Sequence, residues 1–105
     1  MNEYTVIFCT VPNNDVANAI AEKVVGERLA ACVNIVPGLR SVYTWKGAVC
    51  RDDELLLVIK TKRSLFEELR AAILSAHPYE VPEIVALPIV AGHDAYLSWI
   101  TDVTR

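Results

Sequence analysis

The chain has 105 residues, 53% of them hydrophobic and 22% charged, with ten Lys and Arg against thirteen Asp and Glu for a net charge of -3. That length provides one core, over residues 1–105, and not two, and the composition excludes a disordered chain. The acidic balance argues against a nucleic-acid binder, which displays a basic footprint; Lys60, Lys62 and Arg63 form the only close basic cluster.

Residues 1–12 carry no charged segment followed by an apolar core, so no secretion signal is expected. No run of about 18 apolar residues offers a membrane span. A cytoplasmic protein is expected, and Cys9, Cys32 and Cys50, an odd number, fit reduced thiols better than a disulfide framework.

In chain order, Tyr4 to Val11 alternates with both faces mostly apolar, which predicts a central strand closed by Pro12. Asn13, Asn14 and Asp15 suit a helix start. From Val16 to about Ala31, Ala17, Ile20, Ala21 and Val24 recur at helical spacing, predicting an amphipathic helix on the sheet.

Cys32 to Lys62 reads as one long β-hairpin with Trp45-Lys46-Gly47-Ala48 at its tip and a break at Pro37-Gly38. Arms of about fifteen residues at roughly 3.3 Å each approach 50 Å, against a radius of gyration of about 13 Å for a domain this size. The hairpin is therefore expected to outrun its own domain. On the return arm Leu55, Leu57 and Ile59 point one way and Leu56 and Val58 the other, so both faces are apolar. Helices can cover one face; the economical cover for the second is another copy of the chain.

Ser64 and Glu67 stand at capping-box spacing before a second helix, whose buried stripe is Leu65, Phe66, Leu69, Ala72, Ile73 and Ala76. Pro78 ends it at or just before His77. Glu83 to Val90 is a fourth strand, with Pro88 marking an edge or bulge. After Gly92 and Asp94 comes a short third helix packed through Tyr96, Trp99, Ile100 and Val103. The order is that of a ferredoxin-like βαββαβ sandwich, an α+β fold, with one helix added at the C-terminus.

No nucleophile motif, Gly-rich phosphate loop, H-E-x-x-H or C-x-x-C is found, which leaves an enzyme without machinery. The remaining chemistry is a sparse set of metal-ligating types: Cys9, Cys32, Cys50, Asp52, Asp53, Glu54, His77 and His93. Thiolate, imidazole and carboxylate together would suit copper or zinc. Each has a plainer reading. Cys9 and Cys32 lie among core residues, Cys50 suits an exposed thiol, and His77 at a helix C-terminus suits the dipole and free carbonyls. Glu54 opens an apolar run and is drawn toward the interior, where a charge needs a partner. Trp45 at a protruding tip favours a subunit contact.

Taken together, the segments Glu27-Arg28-Leu29-Ala30-Ala31-Cys32-Val33-Asn34, Pro37-Gly38, Tyr43-Thr44-Trp45-Lys46-Gly47, Ile59-Lys60-Thr61, His77-Pro78-Tyr79-Glu80-Val81-Pro82-Glu83 and Tyr96-Leu97-Ser98-Trp99 resemble the CutA family of divalent-cation-tolerance proteins. The resemblance implies a homotrimer built through sheets and long hairpins, binding of copper or another divalent metal ion, and a role in metal tolerance without catalysis. It carries a metal-ligand role onto Cys9, Glu54 and His77. Some relatives place a second histidine directly before that one; here the residue is Ala76, which removes a candidate ligand.

Two other readings compete. One is a trimeric regulator resembling the PII-type signal proteins, binding a small ligand in a cleft that loops 77–82 and 46–53 would frame between subunits. The other is a trimeric adaptor whose hairpin recruits another protein.

Overall fold

The computed structural model describes residues 3–105. Four strands and three helices follow in the order β1 (Tyr4–Val11), α1 (Asn14–Gly26), β2 (Cys32–Trp45), β3 (Ala48–Lys62), α2 (Phe66–Ala76), β4 (Val85–Pro88) and α3 (Asp94–Val103). The sheet runs β2-β3-β1-β4 with every neighbouring pair antiparallel. The architecture is α+β, with β1 and β3 in the middle as their two apolar faces require.

Side chains alternate along β1, so Ile7, Cys9 and Val11 are fully buried under α1 and α2. Leu57 and Ile59 of β3 lie beside them, completed by Ala17, Ile20 and Val24 of α1 and Leu69, Ala72 and Ile73 of α2. Asn13 caps α1 through its Oδ1, which accepts the Val16 N–H at 2.9 Å.

Three expected boundaries move. The first helix stops at Gly26 rather than near Ala31, because Arg28 takes a left-handed φ of 60° and turns the chain so that Leu29 and Ala30 become core. Their N–H groups both return to the Val24 carbonyl. The predicted capping box does not form: Arg63–Leu65 is a 3-10 turn, Ser64 lies inside it, and α2 starts at Phe66 without a side-chain cap. The last strand is four residues long and exposed, at a sheet edge, as Pro88 requires.

The third helix crosses to the sheet's second face. Tyr4 points away from the core side and shares a 2.6 Å hydrogen bond with Thr101, while Ile100 is fully buried. Tyr96 and Trp99, expected to pack inward, stack on each other at 5.4 Å and stay 40% exposed. Arg28 donates from its guanidinium to the carbonyls of Asp102, Val103 and Thr104, placing a cation at the C-terminus of α3. The same face carries Val6, Phe8, Leu56 and Val58, half-buried, with Val85 and Leu87 exposed.

The hairpin outruns the body as expected. Pairing between β1 and β3 ends at Val11 and Leu55, so Ala48–Glu54 is flanked by β2 alone. The molecule measures 44 × 25 × 23 Å, with a radius of gyration of 14.2 Å. Lys46 and Gly47 at the tip both take positive φ, the two-residue turn that matches strand twist.

Candidate functional site

The candidate site is created by a bulge. Between Val36, opposite Leu56, and Leu39, opposite Glu54, β2 spends two residues, Pro37 and Gly38, against one on β3. Gly38 accommodates this with a φ of +80°. One extra residue reverses alternation. Before the bulge Asn34 and Val36 face the second side of the sheet; after it Ser41, Tyr43 and Trp45 do, beside Glu54 and Asp52.

The loop after α2 closes over this surface. His77 ends the helix, its N–H donating to the Ile73 carbonyl at 2.9 Å. Its Nδ1 accepts the Tyr79 N–H at 3.2 Å, which leaves Nε2–H to donate to the Thr10 carbonyl at 2.8 Å. Thr10 lies just past Phe8, the last β1 residue paired with β4, so the imidazole ties the loop to the sheet where that strand has departed. Tyr79, turned by this latch, donates its hydroxyl to Oε2 of Glu54 at 2.6 Å.

The result is a cleft of about 760 Å³ between the hairpin and residues 78–83. Tyr43, Trp45 and Tyr79 supply its aromatic walls, Glu54 its floor, and Glu80 and Glu83 its acidic rim. Tyr43 donates to Asp52 nearby. Both phenols feel the acidic surroundings. The bond to Asp52, then lost hydration, pushes the Tyr43 hydroxyl up to about 12. Burial, reinforced by the Glu54 bond and charge, raises that of Tyr79 as well. Within the chain this cleft is framed by β2 and the 78–83 loop, and none of residues 46–53 lines it.

The three ligands carried over by resemblance are neighbours but do not assemble as a donor set. Cys9 is fully buried on the helix side, its thiol against the Thr10 carbonyl at 3.8 Å; burial, with the charges of Glu83 and Glu54, pushes it up to about 12. A metal needs the thiolate, which this environment suppresses. Both nitrogens of His77 are engaged, and Glu54 faces the opposite side of the sheet from Cys9. Among the described residues no three His, Cys, Asp or Glu side chains are arranged to hold a metal ion. As folded, Cys9, Glu54 and His77 do not fit one.

The other candidates are dispersed. Cys32 is half-buried beside Tyr96, Cys50 lies on the hairpin with its thiol toward the Ala48 carbonyl, Asp53 is exposed, and His93 occupies the N-cap position of α3 without a side-chain cap. Sequence reasoning missed the Tyr43–Asp52 pair. Counting outward from the Lys46-Gly47 turn would have found it, since Tyr43 stands opposite Cys50 and diagonal to Asp52.

These features define a class: small α+β proteins with a four-stranded antiparallel sheet, three helices and a projecting hairpin whose base frames a cleft. The chain belongs to the CutA1 divalent ion tolerance protein family, which matches residues 5–103. It is 54% identical over 99 residues to the divalent-cation tolerance protein CutA of Thermus thermophilus, covering 94% of this chain and 96% of that one. It is 51% identical over 100 residues to the chloroplastic protein CutA of Arabidopsis thaliana, covering 95% of this chain but only 55% of that relative, about half its length. The solved structure of the Thermus thermophilus divalent cation tolerance protein superposes with a TM-score of 0.95 at 52% identity, covering 97% of this chain and 99% of that one.

Proposed function

We propose that this chain forms a homotrimer of ferredoxin-like subunits that serves tolerance to divalent ions, copper among them, without catalytic turnover and in the cytoplasm. Family membership supports the tolerance role. The observation that carries the assembly is the second sheet face, where Val6, Phe8, Leu56, Val58, Val85 and Leu87 form an apolar field left partly or fully exposed. Such a field is characteristic of an interface. The long, unpaired β2 edge lies beside it. No helix among the described residues is long and apolar enough to cross a membrane.

Sedimentation equilibrium tests the assembly: a mass of three chains is expected, and Val58→Glu should dissociate it. A folded monomer at micromolar concentration would remove the reading. Calorimetric titration with copper and zinc tests the ion. Because Cys9, Glu54 and His77 do not form a donor set, tight stoichiometric binding lost in Cys9→Ala, Glu54→Ala and His77→Ala would require the chain to rearrange around the metal.

The second reading, a PII-like regulator that binds a small ligand, is favoured by one observation: the cleft is large enough for an organic molecule and has aromatic walls. A thermal-shift screen with nucleotides and small charged metabolites separates it from the first.

A further inference from the structure

Glu54 is the one Asp, Glu, Lys or Arg among the described residues that the fold buries, at 6% exposed. It receives a single hydrogen bond, from Tyr79 to Oε2. The three ion pairs of the described residues lie elsewhere, and no Lys, Arg or His nitrogen comes within 4.0 Å of its carboxylate. A charge taken out of water without a counter-charge is costly. The Glu54 carboxylate also lines the cleft, whose other charged residues, Glu80 and Glu83, carry the same sign.

We propose that the Glu54 cleft binds an organic ammonium ion, held by the buried carboxylate below and the faces of Tyr43, Trp45 and Tyr79 around it. Three features select this class. About 760 Å³ is far more than a bare metal ion fills, and no set of three metal-ligating side chains is arranged among the described residues. Aromatic faces attract cations that keep their organic substituents, and the attraction grows as water is excluded. Trp45 already draws a cation, the Nζ of Lys46 at 5.7 Å from its ring centre. The inference goes beyond the divalent-ion reading and rests on a different observation, the buried Glu54 carboxylate beside aromatic side chains.

The test uses the full chain carrying Trp99→Phe, so that Trp45 alone reports by fluorescence, with choline chloride as probe. Saturable quenching and a rising thermal midpoint are expected. The neutral isostere 3,3-dimethylbutan-1-ol should produce neither, and Glu54→Gln should weaken choline binding at least tenfold. Trp45→Ala, an exposed position followed by thermal shift alone, supplies a second variant should Glu54→Gln fail to fold; it too should lose most of the shift. Equal binding of the neutral isostere would reduce the cleft to an apolar pocket and overturn the proposal. A Glu54-dependent response to zinc, copper or magnesium chloride without one to choline would assign an inorganic cation instead. No choline response, with a change of sedimenting mass on Glu54→Gln, would assign the counter-charge to a second copy of the chain.

Discussion

Tyr79 and Glu54, 25 residues apart, are joined by a 2.6 Å hydrogen bond that ties the loop after α2 to the base of the hairpin. The bond satisfies a buried carboxylate and sets one wall of the cleft. Its removal should be felt in both. Tyr79→Phe is expected to destabilise the fold by about 2 kcal/mol, the range for a hydrogen bond to a charged group. Urea denaturation measures this, and adding Tyr79→Phe to Glu54→Leu should then cost much less, because the acceptor has gone.

His77 prepares that bond by fixing the loop at both ring nitrogens. His77→Ala loses two hydrogen bonds and should cost about 2 kcal/mol. The specific signature is local: in hydrogen exchange, the Tyr79 amide should lose protection while the amides of β1 and β3 keep theirs. Uniform loss across the sheet would show that the histidine acts on the whole core instead.

Stability should fall on the alkaline side. The folded state raises the Cys9 thiol from an ordinary 9.0 to about 12 and raises Tyr79 in the same direction. Above pH 9 the unfolded chain therefore releases protons that the folded chain retains, so the unfolding free energy declines with pH. The contribution is complete below pH 9 and is lost as the pH climbs toward 12. Cys9→Ala should flatten the profile between pH 9 and 10.5, measured by urea titration at each pH. A slope unchanged by the substitution would assign the effect to the tyrosines.

The hairpin tip offers a gain. Lys46 holds a φ of 49° that a lysine adopts at a cost, whereas Gly47 at 82° is suited to its place. Lys46→Asn should raise the thermal midpoint by a few degrees, worth about 0.5 kcal/mol. Gly47→Ala should lower stability by about 1 kcal/mol. Both positions are exposed, with open space around Gly47, so packing does not complicate the comparison.

Much of the fold was legible in the residues themselves. Alternation of apolar side chains located β1, β2 and β3, helical spacing located α1 and α2, and Lys46-Gly47 located the tip, because these patterns are local consequences of backbone geometry. Pro78 likewise stopped α2 before His77. The matching segments from Glu27 to Trp99 were enough to indicate the family.

Only the tertiary structure decided the rest. Arg28 shortened α1 because Leu29 and Ala30 had to reach the core, a demand set by the sheet and not by helix propensity. The bulge at Pro37-Gly38 reversed which hairpin side chains share a face with Glu54, a change of register that composition does not reveal. Whether Cys9, Glu54 and His77 form a donor set depended on the side of the sheet each occupies and on which neighbours already hold them. Sequence determines which side chains are available to react; through-space pairing determines which are left free to do so.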